Sequence, residues 1–512
     1  MTMAAAGAVR RITSTVLLRW LLFIAIFSLA AVPPLDPDLW WHLANGRLMV
    51  TTASIPHVDL YSFSAVGHPW VMHEWLADLG MYLVFQRGGL PWLVAIFAGV
   101  VTAAAICLYL LLRRTGLAPT GAAALTLVGV LAGSTAWGAR PQLLNVLFCG
   151  LLLLGLITYR DGRLHALLLP PFIWLWANVH SGFLVGVIIS ALFLAGEAFD
   201  AWRRAEGAMP RPRLIALAGA IVAGCALSVI NPFGIQTVVF SLGTLTSPLI
   251  QNNIQEWASP DFHSVAGLLF ESILFVLLAG LLTGRVKAKT SEWLLAFALL
   301  YLALASQRHV PLFVLAAAPL LGRCALALLS LAPTMPSSRR PMAQAALRWR
   351  PAQPMTNGLA LGAINLALLI AIGVGMVAYR ALPNLRPATE AAAIRAIFPV
   401  HAADALQRIG RPVRVFNYYD YGGYLVWRLV PDGSRVYIDG RVEVYGPQVF
   451  SQYLRVSYLA AGWQDVLVQG HPDAIVLPSG HPLVGILQHD SGWTMLSQDG
   501  VATVFTRVGF AP

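Results

Sequence analysis

Charged residues are scarce in this chain. They make up 11% of its 512 residues, whereas a soluble domain carries about 25%. The deficit excludes an ordinary soluble globular protein, and 58% of the residues are hydrophobic. Several stretches run roughly 18 residues or more without a charge, the length that crosses a bilayer core. Cysteine is scarce too. Cys107, Cys149, Cys225 and Cys324 all lie in apolar stretches, with neither metal-ligand spacing nor a disulfide framework. No His-Glu-x-x-His site, paired Asp or Ser/His set falls within an apolar run, which excludes the usual membrane proteases. Internal repeats and low-complexity tracts are absent, which weighs against a repeat-built transporter.

What charge there is lies unevenly. The net charge of +11 would suit nucleic acid, but from Arg380 onward 11 Arg face 10 Asp or Glu. The excess sits in short loops between apolar runs, where positive charge reports topology. The first run follows Arg19 and ends near Pro33, and the others cover about 90–112, 117–136, 142–159, 164–177, 183–201, 214–230, 264–284, 291–306, 310–330 and 358–379, which predicts about 11 transmembrane helices. Every second loop is basic: Arg10 and Arg11; Arg113 and Arg114; Arg160 and Arg163; Arg203, Arg204, Arg211 and Arg213; Arg285, Lys287 and Lys289; Arg339, Arg340, Arg348 and Arg350. The opposite loops hold only Arg47, Arg87, Arg140 and Arg308. This alternation predicts a cytoplasmic N-terminus and a C-terminal region outside. The first run also ends in the small residues Ala30 and Ala31, which a cleaved signal peptide would need.

The expected organisation is a transmembrane domain over 1–379, with a first extracytoplasmic loop at 34–89 and a cytoplasmic linker at 331–357. An extracytoplasmic α/β domain follows over 380–512. There, Thr389 to Ile409 reads as helix, Val413 to Asn417 and Arg435 to Asp439 as strands, and Gln448 to Ala461 as helix. Ala474 to Leu477 and Gly500 to Val508 complete the strands.

The uncommon polar residues gather on the outer side. The first loop carries Asp36, Asp38, His42, Arg47, His73 and Glu74, and its Leu39 to Val50 stretch suits an interfacial helix. Later outer turns add Arg140 and Gln142, then Asn178 and His180, then Glu256, then Arg308. Ionisable groups near hydrocarbon are costly and tend to line a cavity, so this asymmetry points to chemistry at the outer face. Plainer readings exist. Trp40, Trp41 and Trp70 suit an interfacial aromatic belt, Asp36 a helix cap, His180 a helix end, and Arg140 and Arg308 snorkelling cations.

Asp38 just after the first span, Arg47, Pro56 and then His73-Glu74 resemble the first loop of the GT-C superfamily. These are polytopic glycosyltransferases that use polyprenyl-phosphate-linked sugars; the aminoarabinose and protein-mannosyl transferases are the nearest pattern. The resemblance implies a catalytic role for the acidic residue, which transfers to Asp38. Asn417-Tyr418-Tyr419-Asp420-Tyr421-Gly422 is similar to the Trp-Trp-Asp-Tyr-Gly signature of oligosaccharyltransferases, which helps bind the acceptor. Ile254-Gln255-Glu256 resembles that family's Ile-x-Glu motif. The chain departs from the family in having Tyr418 and Tyr419 for the two Trp, no acidic pair after Trp137, and fewer spans. The chain also resembles a group of bacterial membrane proteins sharing the stretches Asp-Leu-Trp-Trp-His-Leu and Tyr-Ile-Asp-Gly-Arg.

The resemblance therefore implies an inverting glycosyltransferase with a lipid-linked sugar donor and a glycan, lipid or peptide acceptor. Asp38 would be its base and Glu74 a second catalytic carboxylate. Asp36, His42, Arg47, His73, Arg140, Gln142, His180, Arg308, Tyr419, Asp420 and Tyr421 are the candidate substrate contacts, with Arg140 or Arg308 meeting the phosphate. A divalent metal (Mg or Mn) is the candidate cofactor, with Asp38 and Glu256 as ligands; Glu74 and Glu256 alternatively position sugar hydroxyls. The competing reading is a non-catalytic membrane protein, either a transporter or a scaffold that binds envelope polymer.

Overall fold

The computed structural model describes residues 7–9, 11–331 and 358–510. Most of the linker read at 331–357 therefore lies outside the described residues. All eleven apolar runs fold as helices. Six helices are long and apolar enough to cross a membrane: Trp75–Arg114, Gln142–Arg160, Phe183–Trp202, Val265–Leu282, Gln307–Leu329 and Leu359–Asn384. Ser14–Ala30, Pro119–Ala132, Ala166–Val179 and Thr290–Ala305 are shorter apolar helices. Arg211–Leu227 is the eleventh. The protein is a polytopic, mainly helical membrane protein.

One helix is unusually long because two elements fuse. Trp75–Arg114 runs through Gly89, whose φ of 64° breaks the helical backbone. Glycine tolerates that conformation, and Pro91 behind it lacks an N–H to continue the ladder. The result is a short helix from Trp75 that feeds a membrane span at a kink, as the separate readings at Glu74 and at residue 90 anticipate.

The first loop departs from expectation. Leu39–Thr52 is helical, but it does not float on lipid. Trp40, Trp41, His42, Leu43, Ala44 and Asn45 are all buried. The helix lies between the Trp75 segment and the Gly422–Leu429 helix. Gly46 makes the first contact possible, because a Cβ there would sit 2.4 Å from the Asp78 carbonyl oxygen. Trp40 packs edge-on against Tyr424 and Phe398, at 5.0 and 5.6 Å. Trp40, Trp41 and Trp70 are thus core residues and not an aromatic belt.

The C-terminal region forms a five-stranded sheet in the order β2-β1-β3-β5-β4. The strands are β1 Arg414–Asn417, β2 Arg435–Val436, β3 Ala474–Pro478, β4 Trp493–Gln498 and β5 Ala502–Arg507. β2, β1 and β3 run parallel with helical connections, and β5 and β4 close the sheet as an antiparallel hairpin. Two details differ from the sequence reading. Pro399 splits the helix read over Thr389 to Ile409 into Pro387–Ile397 and Val400–Gln407. β4 is an edge strand with several exposed side chains, so it lacks the apolar alternation that would announce it.

The first loop is stitched into this sheet. Phe63 N–H donates to the Val436 carbonyl at 3.0 Å, and Val436 N–H returns a bond to Tyr61 at 3.1 Å. Arg441, fully buried, pairs with Asp59 at 2.8 Å and Asp439 at 2.6 Å. Its guanidinium lies between the rings of Tyr61 and Trp70, 4.7 and 4.5 Å from their centres. A buried cation needs such pairing to offset its lost hydration. The clamp holds the Asp59 to Trp70 part of the loop against the C-terminal region.

Candidate active site

Asp36 and Asp38 stand at the start of the Leu39–Thr52 helix. Asp36 Oδ1 accepts from the Asp38 backbone N–H at 2.9 Å, so Asp36 shapes the turn. Asp38 has no capping bond of its own. Its Oδ1 accepts from the Trp41 indole N–H at 2.9 Å, and 32% of its side chain reaches solvent. Burial, then the neighbouring Asp36 charge, push the Asp38 carboxyl up to about 7, against the pull of Arg140, His42 and the Trp41 hydrogen bond. A carboxyl poised near neutrality suits proton transfer.

Arg140 lies against this pair. Its Nε is 3.1 Å from Asp36 Oδ2, its Nη1 is 3.8 Å from Asp38 Oδ2, and its Nη2 bonds Glu256 Oε1. Gly138 permits the approach, since a Cβ there would come within 3.1 Å of Asp36 Oδ2.

A second cluster centres on Glu74, at the start of the Trp75 helix. Its Oε1 lies 2.8 Å from His180 Nε2 and 3.4 Å from His73 Nε2, and its Oε2 lies 3.5 Å from His42 Nδ1. Asp78, one helical turn on, takes His42 Nδ1 at 2.6 Å and the Asn45 amide at 2.7 Å. Burial opposes charge here, yet Asp78 and Glu74 together raise His42 to about 9. The three histidines hold Glu74 well below the usual carboxylate range despite its burial. His180 differs. Its Nδ1 accepts from the Gly182 backbone N–H at 2.8 Å, so its proton sits on Nε2 and is donated to Glu74.

Beside His180 lies a recess lined by Gln142, Asn145, Val146, Trp257, Arg308 and Leu312. A second, more apolar recess shares Leu143 and Val146 with it. Arg308 lies over the Trp257 ring at 4.6 Å. Among the described residues no carboxylate comes within ion-pair distance of it, unlike Arg140.

The C-terminal region roofs the site. Gly440 lies on Asp38 so closely that a Cβ would fall 1.9 Å from Oδ1, and a Cβ on Gly423 would fall 2.4 Å from the Pro37 carbonyl oxygen. The stretches Asp38 to Leu43 and Tyr437 to Arg441 therefore meet face to face. Tyr419 O–H donates to the Gly440 carbonyl at 3.3 Å. Asp420 is exposed, and its carboxyl is raised by burial of its surroundings and by Asp36.

The structure thus brings together Asp36, Asp38, Arg140, Glu256, Tyr419 and Asp420, and beside them His42, His73, Glu74, His180, Gln142 and Arg308. Two candidates fall elsewhere. Arg47 stacks on Trp427 at 4.0 Å and bonds its carbonyl at 2.8 Å, which joins two helices away from Asp38. Tyr421 is buried and donates to the Val501 carbonyl at 3.0 Å, inside the C-terminal fold. Asp78, Asn145, Trp41 and Gly440 were missed. Asp78 had a signal, because it shares a helix face with Glu74 at i, i+4; Gly440 had none, since its contact spans the whole chain.

The metal expectation can be tested against these distances. Asp38 and Glu256 do not face a common void, because the Arg140 guanidinium joins them. By proximity His73, Glu74 and His180, or His42, Glu74 and Asp78, could hold an ion. Adjacent ligand atoms around an octahedral Mg sit roughly 2.9 Å apart. The His180–Glu74 gap of 2.8 Å is close to that spacing and the His42–Asp78 gap of 2.6 Å is shorter, and each is also a hydrogen-bond distance. A ligating His180 Nε2 would also need a proton on Nδ1, where the Gly182 N–H already points. Asp38 and Glu256 therefore do not fit a bound metal while the Arg140 guanidinium lies between them, whereas the histidine and carboxylate groups around Glu74 could hold one.

Comparison with known structures gives the same architecture. The chain is similar to ArnT from Cupriavidus metallidurans in the apo state, with a TM-score of 0.52, 14% identity, and 97% and 98% of the two chains covered. It is similar to the oligosaccharyltransferase AglB from Archaeoglobus fulgidus in complex with an inhibitory peptide and a dolichol-phosphate, with a TM-score of 0.51, 11% identity, and 96% and 74% covered. The chain has the GT-C fold. No protein-family model and no curated protein matches this chain.

Proposed function

We propose that this GT-C protein is an inverting glycosyltransferase that moves a sugar from a polyprenyl-phosphate carrier to an acceptor hydroxyl on the extracytoplasmic side of a bacterial inner membrane. The observation that carries the reading is the pairing of Asp38, a half-exposed carboxyl near neutrality, with a neighbouring recess whose cation lacks a carboxylate. Asp38 takes the proton of the acceptor hydroxyl as its oxygen bonds to the anomeric carbon from the face opposite the carrier. The bond from that carbon to the phosphate oxygen breaks, and the polyprenyl phosphate leaves with the electron pair. Arg308 meets that developing negative charge, because Arg140 is already engaged on three sides. The more apolar recess suits the first isoprene units of the carrier.

Glu74 acts as a positioning residue, since three histidines claim its oxygens. His180 and Gln142 line the recess where the sugar would lie. The acceptor would enter between Asp38 and the Tyr419-Asp420 turn. The placement of basic loops supports a cytoplasmic N-terminus, with residues 380–512 outside as a roof over the site.

The test is release of polyprenyl phosphate. Purified protein in lipid nanodiscs, given a panel of polyprenyl-phosphate sugars and an envelope extract as acceptor source, should free the carrier and label a product of inverted anomeric configuration. A retained configuration, or no release from any donor, would contradict the proposal.

A further inference from the structure

We infer that Arg140 is the built-in cation of this site: its guanidinium joins Asp36, Asp38 and Glu256, fills the place where these carboxylates would otherwise gather a divalent ion, and positions Asp38. The role of Asp38 rests on the transferase reading above; the occupancy argument does not. The three carboxylates come from two distant parts of the chain. Asp36 and Asp38 share the turn that opens the first loop, and Glu256 lies in the turn Gln255–Trp257. Nothing in local structure brings Glu256 to that Asp pair, and like charges so placed repel unless a cation lies among them. Each lies within ion-pair distance of a different nitrogen of one guanidinium, Nε for Asp36, Nη1 for Asp38 and Nη2 for Glu256, the last also a hydrogen bond.

The side chain suits that place. A guanidinium stays charged at any physiological pH, and its planar fork of five N–H donors serves several carboxylates at once. The Arg140 side chain is 10% exposed, so its charge is only weakly screened. Gly138 lets its turn come down onto Asp36. The carboxylates around Arg140 are a place at this face, separate from the histidine and carboxylate groups around Glu74, where an ion would otherwise gather. Arg140 is a positioning residue, not a phosphate ligand. It gathers the carboxylates and sets the charge that Asp38 feels, while Arg308 faces the carrier.

The experiment titrates Mn²⁺ alone into EDTA-washed, full-length protein and follows the free-ion EPR signal and the thermal transition. Wild type should leave the free-ion signal and its melting temperature unchanged, and EDTA should leave transfer unchanged. Arg140→Ala should acquire Mn²⁺ binding and an Mn²⁺-dependent rise in melting temperature, both lost again when Glu256→Gln is added. Arg140→Lys, a point charge without the fork, should stay closed to Mn²⁺ yet lose transfer by roughly tenfold or more. Stoichiometric Mn²⁺ on wild type that disappears in Asp38→Asn would overturn the inference, as would a folded Arg140→Ala that binds no Mn²⁺. Should Arg140→Ala fail to fold, the wild-type titration decides. If no polyprenyl-phosphate sugar is turned over, the transferase reading fails while the titration still reports on Arg140.

Discussion

Replacing Asp38 by Asn removes a proton acceptor and almost nothing else. The Asn carbonyl oxygen can still accept the Trp41 indole N–H, and the volume against Gly440 is unchanged. What is lost is the base. General-base catalysis is worth roughly 10²–10⁴ in rate, or about 2.7–5.5 kcal/mol in barrier. Stability should move the other way. The rise of the carboxyl from its usual 3.8 to about 7 means that the fold disfavours its ionised form. At full strength that would cost ~4 kcal/mol, but with 32% of the side chain in solvent a cost of ~1–2 kcal/mol is the reasonable scale. The cost is absent below pH 3.8, grows as pH rises and is complete above about 7. Asp38→Asn should therefore abolish carrier release while leaving the melting temperature level at pH 4 and raised at pH 8. Turnover within a few-fold of wild type, or a large loss of stability at pH 8, would refute the reasoning and leave Asp38 as a structural partner of the Trp41 indole.

The other expectations concern charge and topology. Arg308→Ala should raise KM for the lipid-linked donor roughly 10–150-fold, the worth of a charged hydrogen bond, with a smaller change in kcat; an unchanged KM would remove Arg308 from the phosphate site. Wild-type turnover should rise with pH along a limb centred near 7 as Asp38 ionises, with Asp36 and burial opposing and Arg140, His42 and Trp41 assisting. Arg140→Gln should move that limb to higher pH, and a limb that stays in place would show that Arg140 does not set the charge on Asp38. Alkaline phosphatase fused after Pro383 should be active and after Arg114 inactive; the reverse pattern would overturn the proposed orientation.

The helices were legible because their signal is local. Long apolar runs, punctuated by Arg-rich turns, mark every apolar helix, and Gly89 followed by Pro91 marks the kink in Trp75–Arg114. Asp38 was legible from its place after the first span. The fate of the first loop was not, because its tryptophans look alike whether they face headgroups or a protein roof. Only the partners Tyr424, Phe398 and Arg441, some 360 to 400 residues away, decide that they are core. The same holds for Arg140. A lone arginine at an outer turn reads as a lipid contact, and its three carboxylates are brought to it by folding alone. Arg47 and Tyr421 show the converse: each sits inside a suggestive motif and turns out to bond the backbone elsewhere.

The central claim is that a polyprenyl phosphate lies with its head between Arg308 and Asp38. Cryo-EM of the protein in nanodiscs with added polyprenyl phosphate tests it most directly. The account predicts phosphate density on the Arg308 guanidinium, beside His180, with the chain descending along Val146 and Leu312. Phosphate density on Arg140 with its carboxylate contacts broken, or a recess that stays empty at saturating lipid, would contradict it.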